Sequence, residues 1–206
     1  MRSKAIAFAF AVLLATPAFA QVDVRPFFLF SAERFSASST FHAVLQSDVA
    51  TPWGGGADLV IRRRFFVGVT LSHFSKDGQR VFVNNGDVFR LGIPVRLSST
   101  PLEVSAGYRF HPRKWPVVPY AGAGVGSYSY NETSDFAAAG DDVHVRHAGV
   151  LLVGGAEVRL AKWVSLGADV EYTHVPGFLG QSGASKDLGD TDFGGVAGRL
   201  RIIISR

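Results

Sequence analysis

Ten ionisable residues stand out in the 206-residue sequence: Asp58, Arg62, Glu103, Arg109, Glu157, Arg159, Asp169, Glu171, Arg199 and Arg201. Carboxylates and guanidiniums brought together make paired, charge-assisted hydrogen bonds, which are strong where water is excluded. Their local setting is alternation. In Val164-Ser165-Leu166-Gly167-Ala168-Asp169-Val170-Glu171-Tyr172 the apolar and polar residues take turns. Period two sends the charges to one face of a strand and the greasy side chains to the other.

Other chemistries lack their residues. His144 and His147 are three apart; on a strand they point opposite ways, and no Cys or His–Glu set of ligand spacing accompanies them. No metal site and no cofactor are therefore expected. Gly122, Gly124 and Gly126 fail the G-x-G-x-x-G spacing at Ser127. Glycine on one parity instead makes room inside a narrow barrel. Ser72 with His73, or Glu171 with His174, would be the nucleophile or base of a lipid-modifying enzyme. Neighbours on a strand face opposite sides, and neither G-x-S-x-G nor H-E-x-x-H is present. The expectation is a protein that is not an enzyme.

The elements that position these charges are strands, expected at 24–35, 54–62, 65–75, 88–110, 117–131, 144–160, 163–175 and 192–205. In the fourth, Phe89, Leu91, Ile93, Val95 and Leu97 are odd, whereas Leu102, Val104, Ala106, Tyr108 and Phe110 are even. Either a turn near Ser98 to Pro101 makes nine strands, or one long strand carries a bulge. With one bulged strand, the links 36–53, 76–87, 132–143 and 176–191 are long and 63–64, 111–116 and 161–162 are short. Such alternation, with an even strand number, is the habit of a bacterial barrel with long extracellular loops and short periplasmic turns. The fold class expected is all-β: an eight-stranded antiparallel up-and-down transmembrane β-barrel.

Arg2 and Lys4, the apolar run Ala5 to Ala15, Pro17 and Ala18-Phe19-Ala20 form an export signal, with cleavage expected before Gln21. Residues 21–206 then make one barrel domain. The net charge of +4 comes from 21 basic and 17 acidic residues; without Arg2 and Lys4 it falls to +2. No basic stripe remains for nucleic acid. There is no cysteine, so packing or the membrane must supply stability. Charged residues are 18% of the chain, below the roughly 25% of soluble domains. No second apolar stretch is long enough for a transmembrane helix, so a membrane would be crossed by a closed barrel.

Alternation alone also describes a soluble, lipocalin-like barrel with apolar residues inside. Strand length favours the inverted arrangement. So do aromatics near strand ends, taken as interfacial girdles: Phe65, Phe66, Phe74, Tyr108, Phe110, Tyr120, Tyr128, Tyr130, Trp163 and Tyr172. The ten ionisable residues then enter a lumen wide enough only for side chains, where they must pair.

Gly107-Tyr108-Arg109-Phe110, followed by Pro119-Tyr120-Ala121-Gly122-Ala123-Gly124-Val125-Gly126, resembles the fourth-to-fifth-strand region of OmpW- and OmpA-like small outer-membrane β-barrel proteins. The resemblance implies the outer membrane as location, with outer-membrane lipid and the barrel-assembly machinery as partners. It departs from the family at Ile204-Ser205-Arg206, where members usually end in phenylalanine. The expected function is a non-enzymatic barrel with a plugged polar lumen, serving envelope structure or surface interaction with an unidentified external partner. The alternative it carries is a narrow channel or lateral gate for small hydrophobic solutes.

Overall fold

A computed structural model of the chain describes residues 22–84, 87–110, 116–134, 143–180, 185 and 188–205. The expected export signal lies outside them. The elements are β1 (Val22–Phe35), α1 (Ser38–Leu45), β2 (Val49–Ala50), β3 (Trp53–Ile61), β4 (Phe65–Asn84), β5 (Asp87–Ser99), β6 (Leu102–Arg109), β7 (Val117–Thr133), β8 (Val143–Arg159), β9 (Val164–Val175) and β10 (Phe193–Ile204). Neighbouring strands pair antiparallel in chain order, β5 and β6 share one wall, and β10 returns to β1 from Phe27↔Ile203 to Phe35↔Gly195. The result is a closed ring of eight walls, with no open edge. β2 only caps the top of β1, through Glu33↔Ala50 and Arg34↔Val49.

The ring sorts side chains by parity. Leu166, Val170, Leu200 and Ile202 are exposed on the outer wall, while Asp169, Glu171 and Arg201 are buried within. The same holds on β1, where Val24, Phe28 and Phe30 face outward and Arg25, Phe27 and Leu29 inward. Exposed apolar side chains on every wall form a belt that only a non-aqueous surrounding would leave in place.

The wall made of β5 and β6 corrects the expected bulge. Phe74 pairs with Ser99 and Leu71 with Leu102, leaving two residues on each side of the gap. On the other flank Ser98 pairs with Asn131 and Leu102 with Ser127, with three between on each side. Nothing is inserted, and odd residues stay inside throughout: Val95, Leu97, Ser99, Glu103 and Arg109 are all buried. What changes near Pro101 is the medium. Below it the apolar residues look outward; just above it Val95 and Leu97 turn inward, into a core. Pro101 has no N–H to give the ladder, and its carbonyl instead accepts from Ser72 N at 3.2 Å. The real register shift lies between Gln79 and Val81 of β4, opposite a stretch of β5 holding Gly92 at φ 69°.

The links also differ from expectation. Most of 76–87 is strand, because β4 and β5 continue upward as a hairpin beyond the ring. The first link contains α1. Its two turns bury Phe41, Ala43, Val44 and Leu45, and Asp190 of the last loop holds its start by accepting from Thr40 N and Oγ1, both at 2.7 Å. At the opposite end, β3 turns into β4 through Ile61–Arg64, closed by Arg64 N to Ile61 O at 3.1 Å. Arg62 and Arg63 carry φ of 52° and 62°, the handedness that suits the twist of a hairpin but that favours glycine or asparagine.

Candidate functional site

The lumen is the place where this sequence spends its charge, and it is layered. Nearest the short turns, Arg25 of β1 grips Glu157 of β8 with both arms, Nη1 donating to Oε2 at 2.9 Å and Nη2 to Oε1. Arg109 of β6 donates to the same carboxylate at 2.8 Å. One level up, Arg201 of β10 donates to Asp58 of β3 at 2.5 Å, its guanidinium lying 3.8 Å over the Phe27 ring. Beside it, Tyr120 donates to Asp169 at 2.5 Å. Above that, Arg199 bridges Asp169 at 2.5 Å and Glu171, with Glu103 at 3.9 Å. Tyr128 donates to Glu103 at 3.1 Å. β9 and β10 supply three of these groups because Arg199 and Asp169 are directly paired residues on adjacent strands.

A second layer lies at the loop end. Phe35, Phe41, Phe74, Leu97, Tyr128, Tyr130, Val175, Phe178 and Phe193 form one buried apolar cluster under α1. Phe35 and Phe41 stack at 4.0 Å between ring centres. Each such ring, fully buried, contributes about 1.5–3 kcal/mol. Among the described residues, spaces of about 20 and 10 Å³ lie between the lumen side chains, room for about one water each. The inward glycines make this packing possible. A Cβ on Gly122 would stand 2.9 Å from Phe66 Cζ and 2.7 Å from the Ala106 carbonyl oxygen.

Eight of the ten expected residues therefore lie buried in the lumen: Asp58, Glu103, Arg109, Glu157, Asp169, Glu171, Arg199 and Arg201. Two do not. Arg62 falls in the turn after Ile61, where positive φ takes it out of the strand's alternation and leaves it exposed. Arg159 is the last residue of β8, exposed at the mouth, and its guanidinium donates to the carbonyls of Ala161 and Lys162. Arg25 takes part although sequence reasoning missed it. Its strand is apolar on both faces (Phe27-Phe28-Leu29-Phe30), which hides the alternation, yet Asp23, Arg25 and Glu33 share its odd parity. Of the expected aromatic girdle, Phe66, Phe74, Tyr120, Tyr128 and Tyr130 point inward and are buried. Phe65, Tyr108, Phe110, Trp163 and Tyr172 remain outside, and the first three form an edge-to-face chain with spacings of 5.3 and 5.0 Å. Among the described residues no cluster of His, Cys, Asp or Glu has the geometry for a metal ion.

Known structures share this architecture. Neisserial surface protein A is 15% identical, with a TM-score of 0.51 over 90% of this chain and 97% of that one. Ail, the attachment invasion locus protein of Yersinia pestis, solved with the heparin analogue sucrose octasulfate, is 13% identical over 89% and 97%, with a TM-score of 0.49. The N-terminal β-barrel domain of Pseudomonas aeruginosa OprF is 11% identical over 90% and 100%, with a TM-score of 0.47. No curated protein matches the chain. The family model described as the outer membrane protein beta-barrel domain matches residues 6–198. That match runs through every wall of the ring but the second half of β10, and the chain belongs to this family of bacterial outer-membrane β-barrels.

Proposed function

We propose that the protein is a non-enzymatic barrel that braces the outer membrane and presents a surface at its loop end, with its lumen closed to solutes. The observation that supports this reading is how the lumen is packed. Among the described residues, ion pairs and a small apolar cluster around Phe66 and Leu151 occupy the lower lumen, and an aromatic core beneath α1 occupies the upper. The presented surface is the β4–β5 hairpin and α1, with Phe82, Val88, Phe89 and Leu91 exposed. An open groove of about 600 Å³ runs between them, lined by His42, Val88, Phe89 and Arg90 among others. Residues 1–20 serve as the cleaved export signal, the short turns face the periplasm, and the assembly machinery inserts the barrel into lipid.

Purified, heat-modifiable barrel placed in planar bilayers gives no discrete current steps on this reading. Reproducible single-channel steps would overturn it and restore the channel alternative. Mass measurement of the mature protein checks the signal: the chain is expected to begin at Gln21.

A further inference from the structure

The mouth at the turn end is a cup of about 430 Å³ that the closed lumen leaves unexplained. Its charged lining consists of Arg25, Arg63, Arg109 and Arg159 against Asp23 and Glu157. Among the described residues, four guanidiniums over two carboxylates leave two positive charges in excess. The excess sits on the rim, because the floor is balanced: Arg25 and Arg109, 4% and 7% exposed, both lean on the carboxylate of Glu157, and Asp23 supplies the second negative charge. Asp23 adds a contact at 3.9 Å to Arg25, from a partly exposed position. On the rim, Arg159 is held by two neutral carbonyls, so its charge stays uncompensated. Arg63 is exposed beside it in a turn whose backbone takes the conformation that arginine disfavours. Strained backbone tends to collect at functional sites.

We propose that this cup binds a phosphate monoester, with the phosphate seated between the Arg25–Glu157–Arg109 floor and the Arg63 and Arg159 rim. A phosphate monoester carries a charge of about −1.5 to −2 near neutral pH, which matches the excess. The planar fork of arginine suits phosphate oxygens. Small-molecule sites span roughly 300–1,000 Å³, so the cup has room beyond a bare phosphate, and Val22, Val60 and Val118 line it for the carbon part. The ester is either the headgroup of a lipid in the adjoining leaflet or a soluble molecule of the periplasm. This site lies below the aromatic core, so it stands or falls separately from the conductance measurement.

The test uses the full folded barrel in a maltoside detergent, which carries no phosphate. Glycerol 3-phosphate is titrated in by calorimetry, and short-chain phosphatidic acid is compared with phosphatidylcholine by native mass spectrometry. The variant is Arg63→Gln with Arg159→Gln, which leaves the Arg25–Glu157–Arg109 floor intact; heat-modifiable mobility verifies its fold. At least one phosphate probe is expected to bind, less tightly in added salt, with affinity falling about tenfold or more in the double variant. Binding of glycerol 3-phosphate assigns a soluble ligand; binding of phosphatidic acid alone assigns a lipid headgroup. If neither probe binds, or if the double variant binds as well as the native barrel, the proposal is overturned.

Discussion

Arg199 is the residue whose loss should hurt the barrel most, and the geometry says by how much. Its guanidinium, 8% exposed, holds Asp169 at 2.5 Å and Glu171, and lies 3.9 Å from Glu103. Arg199→Met keeps the volume of the stem but strips three carboxylates of their shared cation. Asp169 retains Tyr120 and Glu103 retains Tyr128; Glu171 is left with like charges for neighbours. Removing one partner of a buried ion pair costs about 3–5 kcal/mol, and the upper part of that range is expected here. The assay is equilibrium urea unfolding of the barrel in lipid vesicles, followed by the heat-modifiable gel shift. The cost should be carried by the orphaned carboxylate. Glu171→Gln in the Arg199→Met background is therefore expected to recover about 1 kcal/mol or more, as residues in one network couple by roughly 0.5–3 kcal/mol. If Arg199→Met proves nearly neutral and Glu171→Gln brings nothing back, the lumen charges do not hold the walls together in the way described.

Three further outcomes follow from other parts of the molecule. Phe35→Ala, which removes a ring 3% exposed at the centre of the upper core, should cost about 3–5 kcal/mol in the same unfolding assay. Gly122→Ala should cost about 1–3 kcal/mol by overpacking, because the new methyl meets Phe66 and a backbone oxygen; Gly154→Ala, with nothing within 4 Å on the outer wall, should be silent. In the first loop the Arg34 guanidinium, 2.7 Å from Asp48, holds its carboxyl below the ordinary aspartate value of 3.8. The contact contributes above that value and is lost as pH falls through the lowered one. Arg34→Gln should return Asp48 upward in a carboxyl NMR titration, with little change in stability since the pair is exposed.

The ring was legible because its cause is local. Period two recurs along β8, β9 and β10, and the order of long and short links fixes how strands follow one another around a closed sheet. The eight lumen charges were legible for the same reason: Asp169, Glu171, Arg199 and Arg201 alternate with Leu166, Val170, Leu200 and Ile202. Arg62 was assigned to the lumen by extending β3 one residue too far. Parity carries no information once φ turns positive. The helix α1 was hidden because eight residues beginning Ser-Ser-Thr make barely two turns, too few for a 3.6-residue period to show. The upper core was hidden more deeply. Phe74, Tyr128 and Tyr130 there, like Phe66 and Tyr120 lower in the lumen, have the composition of an interfacial girdle, and only the closure of the ring shows that they look inward.

The register kept across the break at Thr100 and Pro101 has a consequence for how such a barrel stands in its membrane. Because the same side of the wall faces the axis from Val95 to Arg109, the height at which greasy residues swap from the outer to the inner surface is a waterline written into the strands themselves. Adding two residues each to β4 and β5 above that height would lengthen the protruding hairpin without moving any lipid-touching side chain. The same insertion below it would lift the entire mouth. The protruding hairpin can therefore be reshaped while the immersed part stays as it is.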